Sequence, residues 1–263
     1  MIDDNACAEL FRIGSRGGGA FPEPGDLFES IIEDIYTALL KPGDLALDGG
    51  AHVGRHAFPM AERVGSEGLV LAVEAHPKLA RGLVRRAKKR RLGQAQVVER
   101  ALYNRIARVP FHCVARHSAY SGIEARRFDF KDSVRAIEVE ATTIDALLSA
   151  RPERNWRFCK LDLEGGELRA LQGGVAALGR FRPLVVFEND QENSARDYGY
   201  SKDEWFGFFE TTGYEVFTLW GRAYGRKDWG RRDIPWYFIA ASANSPESDF
   251  IGSWLPALLS RYL

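Results

Sequence analysis

The segment LALDGGAHVG, residues 45–54, and its continuation to Glu74 decide the fold class of this chain. An apolar strand ends in Asp48, a glycine-rich turn opens a helix, and a second apolar strand ends in Glu74. α/β sheets build nucleoside pockets in this way, because the glycines let the backbone approach the ligand and the second acid accepts hydrogen bonds from ribose hydroxyls. The order of these features predicts a nucleoside cofactor.

The turn after Asp48 differs from a dinucleotide phosphate loop. It reads D-G-G-A-H-V-G and lacks the G-x-G-x-x-G spacing. A carboxylate in front of the glycines repels a pyrophosphate but attracts a ligand with an ammonium group. S-adenosylmethionine carries an ammonium, a sulfonium and a ribose, so it suits this turn. The alternatives are a glycine turn that only packs a helix on the sheet, and a Glu74 that only caps the next helix.

Composition is that of a globular chain without a strong charge bias. The 263 residues are 45% hydrophobic and 27% charged, which suits one large domain with additions at its ends. The 36 Lys and Arg residues balance 36 Asp and Glu residues, so no global field attracts nucleic acid or an anionic membrane. The basic run at residues 85–91 falls on a predicted helix and is interpreted as a solvated face, with a phosphorylated or acidic partner as the alternative.

Cysteine use and hydropathy favour a cytoplasmic protein. Cys7, Cys113 and Cys159 are too few and too scattered for a disulfide framework or a zinc site. The N-terminus has no apolar signal core, and no apolar run approaches the ~20 residues that a membrane span needs.

Strands and helices alternate along the chain, which predicts an α/β fold with a doubly wound, mostly parallel sheet. Parallel strands are predicted at 45–48, 69–74, 96–99, 158–163 and 184–188. Helices are predicted at 26–40, 55–64, 77–91, 143–148, 167–178, 203–212 and 253–262. Residues 214–219 and 236–240 suit an antiparallel edge hairpin, and added strands are predicted at 108–113 and 137–141.

The segments outside the repeating units are expected to complete the molecule and its pocket. The predicted parts are an N-terminal lead-in and helix (1–44), a main domain (45–241) and a C-terminal helical extension (242–263). The Gly- and Pro-rich residues 1–25 are expected to be irregular and to fold over the pocket. Residues 105–130 are a second candidate wall, and the loop with Tyr224 and Trp229 a lid or sugar-stacking surface. The apolar stripe on 253–262 packs on its own domain or on a second subunit.

The segment KLDLEGGE, residues 160–167, ends the fourth predicted strand with several charges. Lys160, Asp162 and Glu164 alternate, so their side chains point to the same side. Three buried charges on one face are costly unless they pair with one another or with a ligand. Asp162 and Glu164 are therefore candidates for the reaction centre, with an internal salt bridge as the alternative. Glu167 favours the dipole of the next helix and is assigned a structural role.

Two further polar sets follow the strands. Residues 187–190 (FEND) come after the fifth strand and either face the substrate or cap the next turn. The histidines lack the spacing of a metal set, and each is expected to be solvated or bonded in a turn. His52 is the exception, because it lies between the cofactor turn and the expected substrate pocket.

Taken in order, these motifs resemble the FkbM family of S-adenosylmethionine-dependent methyltransferases. The resemblance runs from about Leu39 to Glu188, and its most specific piece is K-x-D-x-E-G-x-E before L-x-G-G. The other pieces are P-G-D at 42–44, LDGGAHVG at 47–54, AVEAHP at 72–77, T-x-D-x-L at 143–147 and RPLVVFEN at 182–189. One difference is that the family's first turn reads D-x-G-A-N-x-G, whereas His52 replaces the asparagine here.

The resemblance implies a class I methyltransferase fold, Rossmann-like, and O-methylation of a hydroxyl on a sugar or natural-product-like small molecule. It implies S-adenosyl-L-methionine as cofactor and a small-molecule hydroxyl acceptor as partner, with no nucleic acid or membrane, in a monomer or homodimer. The cofactor-binding candidates are Asp48, Gly49, Gly50, Ala51, Gly54, Glu74, Ala75 and Ala101.

The reaction needs a base, because a hydroxyl is a poor nucleophile until its proton is removed. The catalytic candidates are Asp162 or Glu164 as the base, His52 as a weaker base, and Lys160 to keep the carboxylates ionised or to orient the substrate. No metal site is assigned, although the two carboxylates alternatively hold a divalent cation. Two rival functions stay open, a catalytically silent methyltransferase-like binding domain and a nicotinamide-dependent oxidoreductase.

Overall fold

The computed structural model describes residues 3–17, 20–126, 131–151, 153–243 and 245–263. The strands in chain order are β1 (Leu45–Gly49), β2 (Leu69–Val73), β3 (Ala95–Val98), β4 (Ala101–Leu102), β5 (Ala107–Val114), β6 (Val134–Thr142), β7 (Trp156–Leu161), β8 (Leu184–Glu188), β9 (Tyr214–Thr218) and β10 (Tyr237–Ser242). Within the described ranges, no helix has the length and apolar character to cross a membrane.

The helices lie mostly between these strands. In chain order they are α1 (Asp4–Arg16), α2 (Asp26–Leu39), α3 (Ala57–Val64), α4 (Pro77–Arg90), α5 (Ile144–Ser149), α6 (Glu167–Gln172), α7 (Val175–Phe181), α8 (Gln191–Tyr198), α9 (Lys202–Thr212), α10 (Pro246–Ser253) and α11 (Leu255–Leu259).

The main sheet has the strand order β3-β2-β1-β7-β8-β10-β9. The five strands from β3 to β8 are parallel, and β10 runs antiparallel to both β8 and β9. The predicted doubly wound, mostly parallel sheet with an antiparallel pair at its edge is confirmed. Parallel strands with both faces covered read as continuous apolar runs, which is the pattern of β1 and β2.

Two apolar cores cover the two faces of the sheet. Successive strand residues point to opposite faces, so Ala46 enters one core while Leu45 and Leu47 enter the other. The first core contains residues of α1 to α4, α10 and α11, and the second contains residues of α5 to α9. The C-terminal stripe therefore packs on its own chain, with Leu255, Leu258 and Leu259 buried against the first core.

The predicted added strands form a separate small sheet of order β4-β6-β5. β5 and β6 pair antiparallel along their length, and Ala101 of β4 pairs with Ala141 of β6. Val109, Phe111 and Val139 of this sheet are buried in the second core. This layer brings residues of the predicted 105–130 insertion to one edge of the main sheet, while residues 127–130 lie outside the described ranges.

Several details of the predicted secondary structure are wrong. Residues 1–25 are not irregular throughout, because α1 occupies Asp4–Arg16, with Asp3 accepting a hydrogen bond from the Ala6 N–H as its N-cap. The single helix predicted at 167–178 is two helices, broken at Gly173, where a Cβ would lie 2.3 Å from the Tyr103 carbonyl oxygen. Helix α8 was not predicted, and the helix predicted at 253–262 divides into parts of α10 and α11.

The register of the sheet places the predicted site residues side by side. Asp48 on β1 lies next to Lys160 on β7 and Ala72 on β2. On the other side of β7, Tyr237 of β10 pairs with Glu188 of β8. The carboxyl ends of the parallel strands thus meet at one edge, where ligands of such sheets bind.

Candidate functional site

A cavity of about 340 Å³ opens at the carboxyl ends of β1, β2 and β7. This volume is within the range of small-molecule sites, which is about 300–1,000 Å³. The wall includes all four predicted catalytic residues and most predicted cofactor residues, namely Asp48, Gly50, Ala51, His52, Glu74, Ala75, Ala101, Lys160, Asp162 and Glu164. The wall also includes Phe111, Ser118 and Ile123 from the predicted insertion.

Gly49 and Gly54 do not line this cavity. A Cβ on Gly49 would lie 2.7 Å from the side chains of both Leu102 and Leu161, so this glycine serves packing between strands. A Cβ on Gly54 would lie 2.3 Å from the Phe58 ring. Among the described residues, none of 3–17 and none of the late loop 221–233 lines the cavity, so neither the lead-in nor the Tyr224 loop is a wall.

The turn after β1 contains three residues with positive φ, Gly50, His52 and Gly54. Gly50 has φ +79°, and a Cβ there would lie 1.9 Å from the backbone oxygen of Asp162. Only glycine therefore lets this turn approach the segment that follows β7. His52 has φ +46° and its ring Nε2 lies 2.9 Å from the Ser118 hydroxyl. Burial lowers the pKa of His52, which favours the neutral form of its ring.

Glu74 closes the outer part of this turn with its carboxylate. Its two oxygens accept backbone N–H bonds from His52 (2.8 Å) and His76 (2.7 Å). Burial raises the pKa of Glu74 to about 7, and these two hydrogen bonds oppose the rise. The carboxylate faces the cavity at the end of β2, where a ribose would lie.

Asp48 lies at the inner end of the cavity. Its side chain is 1% exposed, and Oδ1 has no hydrogen-bond partner among the described residues. Burial raises the pKa of Asp48, and Lys160 opposes that rise. A buried, unpaired carboxylate oxygen is costly unless a ligand supplies a donor.

These walls fit S-adenosylmethionine. The unpartnered Asp48 oxygen suits its ammonium, the Glu74 carboxylate suits its ribose hydroxyls, and the missing Cβ of Gly50 gives the ligand access to backbone. Phe111 and Leu79 add apolar surface to the cavity wall, which suits an adenine ring. The donor set therefore matches the chemistry of the expected cofactor.

Two hydrogen bonds that fix Asp162 meet at one of its oxygens. Its Oδ2 accepts from Lys160 Nζ (3.0 Å) and from the Tyr237 hydroxyl (3.0 Å). Lys160 is 3% exposed and its Nζ lies 5.8 Å from the Tyr237 ring centre. Although burial opposes ionisation, Lys160 holds the pKa of Asp162 below its usual range. The predicted pairing of Lys160 with Asp162 is present.

Glu29 of α2 joins this network from a distant part of the chain. Its Oε1 accepts from the Tyr237 hydroxyl (2.6 Å), and its Oε2 pairs with His56 Nε2. Arg55 Nε lies 3.7 Å from the same Oε2. Burial opposes ionisation of Glu29, but Lys160 and His56 hold its pKa well below the usual range. His56 is 3% exposed, so it is neither solvated nor turn-bonded as predicted.

Two further carboxylates converge on Asp162. Oxygens of Asp162, Glu164 and Glu188 lie within 4.8 Å of one another, a grouping that is able to hold a cation. Burial raises the pKa of Glu188, with the Asp162 charge adding to the rise, and the two carboxyl groups share a hydrogen bond. Arg126 forms an ion pair with Glu164. The FEND segment thus contributes Glu188 to the site.

The strand that carries these charges is shorter than predicted. β7 ends at Leu161, and Glu164 lies in a turn with φ +57° rather than on the strand. Glu167 accepts backbone N–H bonds from Leu163 (2.6 Å) and Gly165 (3.3 Å), as its predicted structural role requires. The turn, not strand alternation, aims Glu164 at the cavity.

The late loop is tied down inside the second core. Tyr224 is 6% exposed and its hydroxyl donates to Gln191 Oε1 (2.8 Å). Trp229 packs edge-on against Trp205, with ring centres 5.4 Å apart. The prediction of a lid or sugar-stacking surface is wrong for these residues, because their aromatic faces are used in packing.

Sequence reasoning missed Glu29, His56 and Tyr237 as site residues. Tyr237 lies on an apolar strand, a pattern typical of core positions. Glu29 lies in the first turn of α2, where the local pattern does not indicate a partner. The one available sequence signal of this network was His56, the histidine that follows the cofactor turn.

Comparison with known proteins identifies a family. A family model described as methyltransferase FkbM domain matches residues 48–216, which is more than half of the chain. No curated protein matches the sequence.

Several solved structures are similar at low identity. Methyltransferase FkbM from Methylobacillus flagellatus KT is 16% identical, with 90% of this chain and 58% of that chain covered and a TM-score of 0.47. A SAM-dependent O-methyltransferase from Thermotoga maritima is 15% identical, with coverages of 91% and 72% and a TM-score of 0.46. A putative methyltransferase from Streptococcus mutans in complex with SAH is 8% identical, with coverages of 81% and 95% and a TM-score of 0.46. These likenesses are too weak to support an inference about activity.

Proposed function

This chain belongs to the FkbM methyltransferase family, and from that premise we propose that it methylates a hydroxyl oxygen of a sugar-like or natural-product-like small molecule. It is an S-adenosyl-L-methionine-dependent methyltransferase with the α/β class I fold. The single observation that carries the proposal of O-methylation is an ionised carboxylate, Asp162, held on the wall of the cofactor cavity by Lys160 and Tyr237.

The residues that hold the cofactor are those of the first two strand ends. Asp48 would accept the ammonium, Glu74 the ribose hydroxyls, and Gly50 and Ala51 would lie against the ligand with their backbone. When bound, the cofactor supplies an electrophilic methyl group on a sulfonium.

Asp162 is the proposed general base. A carboxylate that accepts the proton of an oriented hydroxyl contributes about 10²–10⁴-fold to such a reaction. Lys160 keeps Asp162 ionised and fixes its direction through the 3.0 Å bond to Oδ2. Glu164 is the alternative base, but its ion pair with Arg126 makes it the less available of the two. His52 is held by Ser118 and stays a weaker candidate.

The test is an isosteric exchange, Asp162→Asn, assayed with radiolabelled S-adenosyl-L-methionine against a panel of sugars, glycosides and polyketide-like alcohols. The wild type should label a hydroxyl, and the variant should bind S-adenosylhomocysteine by calorimetry yet transfer methyl at least about 100-fold more slowly. Asp203→Asn, on an exposed face of α9, is the matched control and should behave as the wild type.

Two outcomes would contradict the proposal. Full turnover in Asp162→Asn with cofactor bound would remove Asp162 as the base. Labelling of nitrogen or carbon atoms only, or cofactor binding without transfer to any acceptor, would favour a different acceptor class or a silent binding domain.

A metal-assisted reaction is the second candidate. The grouping of Asp162, Glu164 and Glu188 within 4.8 Å favours it, because hard divalent cations prefer carboxylate oxygens. Lys160 and Arg126 already neutralise two of these carboxylates, which argues for the metal-free reaction. Loss of methyl transfer after chelation, restored by added Mg²⁺, would favour the cation.

A further inference from the structure

The Tyr237 hydroxyl lies between two carboxylates, Glu29 and Asp162, that come from distant parts of the chain. It is 2.6 Å from Glu29 Oε1 and 3.0 Å from Asp162 Oδ2, and Tyr237 is 4% exposed. A phenol has one proton, so it is able to donate fully to only one of the two carboxylates at a time. The second carboxylate then faces a phenol oxygen with free lone pairs.

This geometry accommodates two arrangements of protons. While Asp162 is ionised, the phenol is able to donate to it. Once Asp162 is protonated on Oδ2, that O–H is able to donate to the phenol oxygen, and the phenol proton turns to Glu29. Glu29 remains the acceptor in the second arrangement because His56 and Arg55 pair with its other oxygen.

We propose that Tyr237 and Glu29 are positioning residues that hold Asp162 in place, with the phenol bonded to Asp162 in both protonation states and more strongly in the ionised one. The inference rests on the proposed function, since it takes Asp162 to be the base. The acceptor oxygen loses its proton to Asp162 and gains the methyl group, whose bond to sulfur breaks with the electron pair left on sulfur. The phenol proton changes partner in the same step, and no further proton enters or leaves.

The charges around Asp162 determine in which direction each substitution should shift its pKa. Lys160 on β7 and the Tyr237 hydroxyl from β10 favour the ionised form. The carboxylates of Glu29 from α2 and Asp48 from β1 oppose a further negative charge. Glu188 from β8 shares a hydrogen bond with Asp162, and Glu164 lies in the same group. Removing the phenol hydroxyl and removing the Glu29 charge should therefore act in opposite directions.

The experiment follows the ¹³C signal of the Asp162 carboxyl group over pH in protein bound to S-adenosylhomocysteine, assigned with Asp162→Asn. In Tyr237→Phe the pH at which Asp162 takes up a proton should rise by about one unit, because a hydrogen bond to the charged form is lost. In the double variant Tyr237→Phe/Glu29→Gln it should fall back toward the wild-type value, because a neighbouring negative charge is gone.

Tyr214→Phe is the matched control for loss of a buried phenol hydroxyl. Tyr214 is 6% exposed and donates to the Pro183 carbonyl at 3.2 Å, remote from the cavity wall. It should leave the Asp162 titration unchanged, even if it lowers the melting temperature as much as Tyr237→Phe does. An Asp162 titration that is the same in wild type and Tyr237→Phe overturns the proposal. A further rise of the Asp162 titration when Glu29→Gln is added to Tyr237→Phe overturns it as well.

Steady-state kinetics with a hydroxyl acceptor found in the panel assay supply a second test. Tyr237→Phe should lower kcat about tenfold, with KM for the cofactor changed less than about twofold, and should move the acid limb of the pH profile to higher pH. An unchanged profile contradicts the positioning role. If no hydroxyl acceptor is found, the proposed function fails, whereas the ¹³C titration still decides whether Tyr237 and Glu29 control Asp162.

Discussion

Gly50 allows two strand ends to approach each other closely. The turn after β1 and the segment after β7 approach so closely that a side chain on Gly50 would overlap the Asp162 carbonyl oxygen at 1.9 Å. The same residue has φ +79°, a conformation that side chains disfavour. Asp162 thus receives its position from the backbone of the cofactor turn as well as from Lys160.

We expect Gly50→Ala to lower the free energy of unfolding by roughly 3 kcal/mol, from overpacking plus backbone strain. Binding of S-adenosylhomocysteine should be lost, because the turn can no longer lie against β7. Urea unfolding and calorimetry measure the two effects.

Gly213→Ala is the control for strain alone. Gly213 ends α9 at φ +72°, and a Cβ there meets nothing within 4 Å. Its cost should be about 1 kcal/mol with cofactor binding unchanged. Equal costs for the two substitutions would show that the contact with Asp162 is unimportant.

At the scale of elements, the T-x-D-x-L motif connects two helices. Thr143 caps α5 by accepting the Ala146 N–H at 3.0 Å. Asp145 in the first turn of α5 reaches across to the start of α7, where it accepts the Ala177 N–H at 2.8 Å. Gly174, the residue before α7, has no side chain to do this. The motif is therefore structural, since it caps one helix with a residue of another.

Asp145→Ala should lower the free energy of unfolding by about 1–2 kcal/mol, as expected for loss of an N-cap. Asp145→Asn should recover part of this, because it keeps an acceptor oxygen. Asp203→Ala, in the first turn of α9, is the control and should change stability little, because its ion pair with Arg226 is exposed. Denaturant unfolding measures the three variants. Equal losses of unfolding free energy in Asp145→Ala and Asp203→Ala would contradict the capping role of Asp145.

At the scale of the whole molecule, the site contains buried acids whose pKa values are shifted in opposite directions. Burial raises the pKa of Glu74 and of Glu167 to about 7, while Lys160 holds that of Asp162 down. A carboxyl group whose pKa is raised on folding keeps its proton in the folded chain after the unfolded chain has lost it. Such a group stabilises the fold below about pH 4.5 relative to neutral pH, and this contribution is lost as pH rises toward 7.

Glu167→Gln should remove one of these contributions. Between pH 5 and pH 8 the wild type should lose up to about 3 kcal/mol of stability through Glu167, a loss that the glutamine variant does not share. The difference in unfolding free energy between variant and wild type should therefore move in favour of the variant as pH rises. Urea unfolding at both pH values measures it, and a difference independent of pH would show that Glu167 does not titrate in this window.

Much of the fold and half of the site follow from local pattern. The parallel strands, the edge pair and the cofactor turn were predicted because apolar runs, glycines and strand-end acids are neighbours in the sequence. The expected irregular lead-in was wrong because the glycines and prolines at 17–25 do not bear on residues 4–16, where Cys7, Leu10 and Gly14 form the buried face of α1. Helix α8 was missed because most of its side chains are polar.

What the sequence by itself determined is the cofactor side of the site. Asp48, Gly50 and Glu74 lie at the ends of adjacent strands, and strand order follows from the βα repeat. Only the tertiary structure decided the environment of Asp162, where Glu29 and Tyr237 meet although they are 208 residues apart in the chain. The reason is physical: apolar periodicity records which face of an element is buried, but the partner that a polar group finds there depends on how distant elements pack.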